Sequence, residues 1–423
     1  MPPGRRRTCT AVSPYRLSLL AAIVALAACD ATTSTSVDPP KPSHPLATAL
    51  VAANAPAVGG PVSGLTADQL LRFRQGSAVF QIVFTPAQGL GPLFNAPGCA
   101  SCHEAPVVGG AGSNDPEEGG EDVELHATRY LSPGCDNLGS VGGQVIQQQV
   151  TPALLAALGI SSEPVPPEAT ATGHRTTPDL FGFGLLDAVP EATILALADP
   201  FDANGDGISG RPHRTPDGRV GRFGRKAQEA SLRDFNTGAF VMEMGITDPG
   251  LQTEQTVHGD PLPAGVDPTP EPEIDQQRFD AADAFVQTLA PPPQLALSNQ
   301  AQVGQQVFSA IGCAKCHTPT LRTGASPIAA LSFKEVNAYT DLLLHDMGPA
   351  LADICLGDAQ ASEFRTEPLM GLRFGTAFLH DGRALTIEQA ILAHDGEAAG
   401  SRSRFRGLRQ ALKGSLLKFL NSL

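Results

Sequence analysis

Two Cys-x-x-Cys-His motifs constrain the fold of this chain more than any other feature of its sequence. The first, Cys-Ala-Ser-Cys-His, spans residues 99–103, and the second, Cys-Ala-Lys-Cys-His, spans residues 313–317. Two thiols about one turn apart reach the two vinyl groups of a haem, and the His beside them ligates its iron. A thioredoxin-type redox pair or half of a zinc site would explain the cysteines, but neither explains a His directly after both pairs. The motifs therefore predict two c-type haems, held by Cys99, Cys102, His103, Cys313, Cys316 and His317.

The composition agrees with bound cofactors and limits the class of partner. Aromatic residues make up only 5% of the 423 residues, and Trp is absent. A chain of this size usually buries more aromatic side chains, and planar cofactors would supply part of the missing bulk. The formal net charge of −14 argues against a nucleic-acid surface. We therefore predict a small soluble electron donor, a cytochrome c or a copper protein, as the partner.

The N-terminus resembles the export signal of a bacterial lipoprotein. Arginines at positions 5–7 precede an apolar stretch, 17–28, that is too short to span a bilayer. The stretch ends in Leu-Ala-Ala-Cys, 26–29, which resembles a lipobox; an ordinary secretory signal would contain this Cys only by accident. We predict that 1–29 is a signal peptide and that a lipid on Cys29 is the only membrane attachment. The expected location is the periplasm or cell envelope.

Two further cysteines belong to neither haem motif nor signal. Cys9 would leave with the signal peptide, which leaves Cys135 and Cys355. Export places the chain in an oxidising compartment, where two leftover cysteines most often pair. A disulfide between Cys135 and Cys355 is therefore expected, and it would connect the two halves of the chain.

Local patterns are mostly helical and repeat once along the chain. Apolar residues at helical spacing follow Thr66, Ser298 and Thr386, which predicts that these residues cap helices. The segment Gly-Ser-Ala-Val-Phe at 76–80, before the first haem motif, resembles Gly-Gln-Gln-Val-Phe at 304–308, before the second. The repeat predicts two related units, each built around one haem.

We therefore expect a mainly α fold of two cytochrome c-like haem domains with long irregular loops and insertions. The first domain is predicted at 65–290 and the second at 295–423, with three prolines between them ending a helix. The stretch 30–64 is rich in Pro, Thr and Ser and is predicted to be a flexible linker. A last, amphipathic helix is predicted from about Ser401.

Five longer segments resemble a known family: GLGPLFNAPGCASCH (89–103), GRFGRKAQ (221–228), GAFVMEMGIT (238–247), YTDLLLHDMGP (339–349) and FLHDGRALTIEQAILAHDGEA (378–398). They are similar to dihaem c-type oxidoreductases of a peroxidase-like family, which is distantly related to the bacterial dihaem cytochrome c peroxidases. The resemblance runs from about residue 66 to the end. It implies a helical fold with one haem in each half and, in the better-known relatives, a metal ion between the halves.

The resemblance also implies roles for single residues. His103 and His317 match the proximal iron ligands. The helix that supplies the far ligand of the second haem matches the one ending at His394, which is therefore the expected sixth ligand. The alternatives are His345, Met347 and His380.

Glu243 matches a Glu that acts on bound peroxide in the relatives. A carboxylate near the iron can move a proton between the peroxide oxygens and so favour O–O cleavage. The next residue, Met244, is an alternative iron ligand or a core residue.

Two features depart from the peroxidases. The Trp that lies between the haems of the peroxidases has no counterpart, because this chain reads Arg225 in the matching stretch. The Gln that precedes their Glu has no counterpart either, because the matching stretch reads Asn236.

One further segment resembles a cation site. Asp202, Asn204 and Asp206 have the spacing of the first half of a calcium loop, although the twelfth position is His213 instead of Glu. The alternative is a plain turn rich in Asp, Asn and Gly. Calcium is therefore a second expected cofactor, with these three oxygens as its ligands.

The leading functional hypothesis is an enzyme that passes electrons between two haems and reduces hydrogen peroxide or a related substrate at the first. The alternatives are a pure electron-transfer cytochrome, with both irons six-coordinate, and a haem-based redox sensor. An open iron at the first haem would distinguish the enzyme from the carrier. The sequence also leaves open whether the first haem is capped in a resting state by one of His126, His174, His213 or His258.

Overall fold

Helices form the framework of this computed structural model, which describes residues 57–112, 123–132 and 134–423. Its α-helices are α1 (Ala67–Phe80), α2 (Pro152–Leu158), α3 (Phe183–Asp187), α4 (Glu191–Leu195), α5 (Leu232–Met244), α6 (Gln276–Thr288), α7 (Asn299–Ala310), α8 (Ile387–Ala393), α9 (Ala399–Gly407) and α10 (Gln410–Leu420). Within the described ranges, no helix is both long enough and apolar enough to cross a membrane. The predicted signal peptide, Cys29 and most of the predicted linker lie outside the described residues.

The predicted caps are confirmed. The Thr66 side chain accepts a hydrogen bond from the backbone N–H of Gln69, whose side chain accepts one from Thr66 in return. Ser298 caps α7 and Thr386 caps α8 in the same way, each through its side-chain oxygen. The prediction of one long terminal helix is wrong. The backbone is extended at Leu408, so that two helices, α9 and α10, take its place.

Short antiparallel sheets accompany the helices, so "mainly α" describes only part of the architecture. The strands are β1 (Leu93–Phe94), β2 (Val123–Tyr130), β3 (Cys135–Asp136), β4 (Gln144–Ile146), β5 (Gln149–Val150), β6 (Ala171–Thr176), β7 (Leu321–Arg322), β8 (Glu335–Val336), β9 (Leu344–Asp346) and β10 (Glu363–Arg365). The largest sheet has β2 at its centre, paired with β3, β4 and β6. Most of these strands have two or three residues, which is too short for alternation of polar and apolar residues to reveal them.

The internal repeat corresponds to the same packing at both haem motifs. Gly76 lies where α1 crosses α6, and a Cβ there would be 1.9 Å from the carbonyl oxygen of Ala281. Gly304 lies where α7 crosses α10, with the carbonyl oxygen of Ser415 at 2.0 Å from such a Cβ. Only Gly allows helices to approach this closely. Four residues after each Gly, a Phe lies beside the motif's His, with ring centroids 5.9 Å apart in the first unit and 6.4 Å in the second.

We expect Gly304→Ala to destabilise the protein by roughly 2–3 kcal/mol, because the added methyl group must push α7 and α10 apart. Unfolding of the haem-loaded protein in urea would measure the change. Gly407→Ala is the matched control, since no atom lies within 4 Å of a Cβ at that position. Equal stability of the two variants would contradict the close-approach explanation.

The two halves of the chain are joined covalently and by a common core. Cys135 and Cys355 form a disulfide, which confirms the predicted pairing. The largest hydrophobic cluster contains side chains from both halves, among them Phe181, Phe285 and Leu343. A separate cluster around Phe308, Phe405 and Phe419 lies within the second half. The positions of the two haem motifs are therefore fixed relative to each other.

Candidate haem centres

The first motif forms a tight 3₁₀ turn at Cys99–Ser101. Neither Cys99 nor Cys102 takes part in a disulfide, although the chain forms one elsewhere. The His103 ring donates a hydrogen bond from Nδ1 to the carbonyl oxygen of Pro178 at 3.0 Å, with that of Gly110 at 3.2 Å. This places the proton on Nδ1 and leaves the Nε2 lone pair for a metal. Burial also lowers the pKa of His103, so the ring is neutral at pH 7.

The second motif repeats this arrangement. Cys313–Lys315 forms the same 3₁₀ turn, and neither Cys313 nor Cys316 is in a disulfide. The His317 ring donates from Nδ1 to the carbonyl oxygen of Tyr339 at 3.0 Å. Burial lowers the pKa of His317 to about 4, so it too is a neutral ligand donor. The residues at both motifs therefore fit covalently attached haem: two cysteines outside disulfides and one oriented, neutral imidazole beside a cavity.

His394 faces His317 across the second cavity. Their ring centroids are 6.4 Å apart. Two imidazoles that share one metal ion, at metal–nitrogen distances of about 2 Å, place their centroids roughly 6 Å apart. His394 lies at the C-terminal end of α8 and donates from Nδ1 to the carbonyl oxygen of Ala390 at 2.7 Å, which leaves its Nε2 for a metal as well. Burial lowers the pKa of His394. The sequence-predicted pair is therefore brought together with the correct tautomers.

The alternative ligands are less well placed. Both ring nitrogens of His345 are engaged, Nε2 by Asp341 at 2.8 Å and Nδ1 by Glu397 at 2.7 Å. The two carboxylates hold the pKa of His345 well above its usual value despite burial, so this ring is a cation and not a ligand. His380 stacks on Phe364, with centroids 4.2 Å apart, and its Nε2 lies 3.3 Å from Asp353. Met347 lines the cavity and is the remaining alternative.

The first cavity has a different lining. Among the described residues around it, His103 is the only histidine. Its acidic residues are Glu124, Glu243 and Asp283, and the amides Asn95, Gln148, Gln149 and Asn236 add hydrogen-bonding groups. Asp283 is held by Asn236, Gln287 and Arg233. One side of the first cavity is therefore polar and offers no second imidazole.

Glu243 is at the end of α5 and lines the cavity that contains His103. Its Oε2 accepts a hydrogen bond from Nδ2 of Asn95 at 2.8 Å, and its carbonyl oxygen accepts from the backbone N–H of Asn95 at 2.7 Å. Burial, and then the charge of Glu124, raise the pKa of Glu243 well above its usual value. The raised pKa favours the protonated form of this carboxyl group, which makes it suited to donating a proton. Met244, beside it, also lines the cavity and packs into an apolar cluster with Phe240.

The two cavities share a wall. Thr177 lines both, and the next residue, Pro178, lines the second cavity while its carbonyl oxygen accepts the hydrogen bond from His103. Arg225 donates to the carbonyl oxygen of Thr176 at 3.0 Å and pairs with Glu367 at 2.8 Å. At the position where the family resemblance leads one to expect Trp, this chain therefore has the Arg225–Glu367 salt bridge, which lies against the end of β6.

The loop predicted to bind calcium has another arrangement. The Asp202 and Asn204 side chains accept backbone N–H groups of their own loop. Asp206 pairs with Lys315, between the two cysteines of the second motif, at 2.8 Å. These contacts give no support to calcium at this loop, because its oxygens are already engaged. Among the described residues, three acidic or His side chains come within 4.8 Å of one another only at Glu254, Glu271 and Glu273.

Sequence reasoning missed two residues of the first cavity, Asn95 and Glu124. Asn95 lies four residues before Cys99, within the segment 89–103, and an Asn in a loop does not by itself indicate a cavity contact. Glu124 lies on β2, directly after an acidic, Gly-rich run, and nothing local distinguishes it from a solvated charge. Only the pairing of β2 with β6 brings it to the cavity.

Comparison with protein families gives one match over most of the chain. A model described as "Di-haem oxidoreductase, putative peroxidase" matches residues 167–423. The matched region contains the second motif, Glu243 and His394, and begins after the first motif. No curated protein sequence matches the chain.

Several solved structures are similar at low identity. A hydrazine synthase structure from Kuenenia stuttgartiensis is 14% identical, with a TM-score of 0.41, over 94% of this chain and 99% of that one. A MauG-like protein associated with microbial copper homeostasis is 16% identical, with a TM-score of 0.30, over 56% and 89%. A variant of the diheme peroxidase BthA from Burkholderia thailandensis is 14% identical, with a TM-score of 0.37, over 87% and 88%.

Proposed function

The chain belongs to the di-haem oxidoreductase family, and from that membership we propose that it is an exported enzyme that reduces hydrogen peroxide or a related oxidised substrate. Electrons come from a small soluble donor, a cytochrome c or a copper protein. The net charge of −14 supports a basic donor surface.

The observation that carries this proposal is the difference between the two cavities. The second contains two opposed imidazoles with lowered pKa values, His317 and His394, which would be the two iron ligands of one haem. The first contains a single imidazole, His103, and a buried carboxyl group with a raised pKa, Glu243. A pure electron carrier needs no acid group beside an open axial position, whereas the reduction of peroxide does.

The residues divide the work as follows. Cys99, Cys102 and His103 would hold the first haem, and Cys313, Cys316, His317 and His394 the second. Bound haem supplies the redox chemistry, with electrons stored at the second site and substrate reduced at the first. Glu243 holds a proton at its carboxyl group and donates it to the oxygen that leaves as water, and Asn95 orients that carboxyl group through its hydrogen bond to Oε2.

The test is the consumption of peroxide by haem-loaded protein reduced with a small donor. Steady consumption, saturating with peroxide, is the expected result. Electron paramagnetic resonance of the ferric protein should show one low-spin and one high-spin haem. Two low-spin haems and no consumption would instead identify an electron carrier.

Export and lipid attachment are tested separately. Cys29→Ser should release the protein from membranes, because the lipid on this Cys is the proposed anchor. The intact mass of the released protein should include two haems, one for each motif. A mass with one haem or none would contradict the central assignment, and continued membrane attachment of the variant would contradict the lipoprotein assignment.

A further inference from the structure

A second acidic side chain lines the first cavity, in addition to the one that the proposed function uses. Glu124 lies on β2 and lines the cavity together with Glu243. Its Oε2 is 2.9 Å from Nε2 of His126, two residues further along the same face of the strand. The two side chains differ in solvent exposure: that of Glu124 is 28% exposed and that of His126 is 10% exposed. Glu124 is therefore in contact with solvent and with the cavity, and His126 supports it from inside.

The surroundings argue against an ordinary surface ion pair. His126 is buried, and its Nδ1 has no hydrogen-bond partner among the described residues. A buried polar atom without a partner costs free energy, so the hydrogen bonds of this ring do not by themselves explain its position. Since Nε2 is engaged by Glu124 and the ring does not line the cavity, His126 is also not a candidate to cap the first haem.

A continuous set of hydrogen bonds fixes Glu124 relative to Glu243. Asn95 donates to Oε2 of Glu243 at 2.8 Å and accepts the backbone N–H of Gln148 at 2.9 Å. The Gln148 side chain in turn donates to the carbonyl oxygen of Val123, next to Glu124, at 2.7 Å. The segments that carry the two carboxyl groups are therefore connected by a continuous series of hydrogen bonds beside the same cavity.

Other charged groups near Glu124 are engaged elsewhere. Arg175 is directly opposite on β6, but its guanidinium group pairs with Asp353. Asp283, on α6, is held by three donors. Apart from its pairing with His126, the nearest titratable groups that line the same cavity are Glu243 and His103.

We propose that Glu124, oriented by His126, is the proton-entry group of the first cavity and resupplies Glu243. This inference rests on the proposed function, because it concerns the group that donates the proton there. After Glu243 has released its proton it is a carboxylate. A proton from solvent binds the Glu124 carboxylate and passes through cavity water to Glu243, which returns Glu124 to its ionised form. His126 is a positioning residue that holds the carboxylate of Glu124 at the mouth of the cavity.

Hydrogen–deuterium exchange of the Glu243 carboxyl group tests this directly, without turnover. In infrared spectra of the haem-loaded protein, the Glu243 band is the protonated-carboxyl band that Glu243→Gln removes. After transfer to D₂O, this band shifts as deuterium replaces the carboxyl proton. The rate of this shift should be at least about 10-fold lower in Glu124→Gln than in the wild type, since the entry group can no longer carry a proton. Glu124→Asp should restore much of the rate, and His126→Gln should lie between. Glu168→Gln, which removes an exposed carboxylate elsewhere, is the control and should exchange like the wild type.

Unchanged exchange in Glu124→Gln would overturn the proposal, as would the absence of any Glu243 band in the wild type. Slowed exchange in a protein that consumes no peroxide would uphold the proton-entry role and refute the peroxidase function instead. The two failures are therefore distinguishable.

Discussion

Replacing Glu243 by Gln is expected to slow peroxide turnover by about 100-fold or more, the usual effect of losing a general acid. Gln keeps the shape of the side chain and its contact with Asn95 but has no proton to donate to the leaving oxygen. Both haems should remain bound, and the uptake of electrons should be unchanged, since the variant alters neither motif. Stopped-flow consumption of peroxide by the reduced protein measures the effect.

The same group predicts the direction of the pH dependence. Burial raises the folded-state pKa of Glu243, which favours the proton-donating form, and that form is lost as the pH rises through the raised pKa. Turnover should therefore fall on the alkaline side, and Glu243→Gln should lack this alkaline fall. Asp283→Asn is the control, since this residue lines the same cavity but is already held by three donors. Full activity of the Glu243 variant would show that another group is the acid.

Replacing His394 by Ala is expected to convert one low-spin ferric signal completely into a high-spin signal. The side chain proposed to fill the far axial position of the second iron is then missing, and a methyl group offers no ligand atom. Electron paramagnetic resonance before and after substitution measures the conversion. His174→Ala is the matched control, because His174 is exposed on β6 and lines neither cavity. An unchanged low-spin signal would move the assignment to Met347.

The sequence was sufficient where a function depends on residues that are close in the chain. The haem motifs, the helix caps and the repeated Gly–Phe spacing are local patterns, and each predicts a definite local geometry. The disulfide was also predictable, because the predicted export signal and the count of cysteines left a single pair. The opposition of His394 and His317 came from family resemblance and not from spacing.

The sequence was insufficient where contacts join distant residues through short strands. β2 carries Glu124 to the first cavity and pairs there with β6, about 50 residues later, and the six residue pairs of this contact leave no sequence pattern that specifies the partner. The loop at Asp202 shows a local pattern whose predicted ligand gains no support from the structure. Its Asp and Asn spacing suits a cation, but such residues satisfy their own turn equally well, and the decisive partner, Lys315, is far away in the sequence.

The disulfide between Cys135 and Cys355 has a consequence for biogenesis. One chain must keep the four cysteines of its haem motifs out of disulfides until haem is attached, while two others become oxidised in the same compartment. An early wrong pairing would occupy a thiol that haem attachment requires. Because the correct bond joins residues that flank the first and second motifs, it can close only after both halves have come together. The bond that ties the two halves together therefore depends on the fold having placed Cys135 beside Cys355.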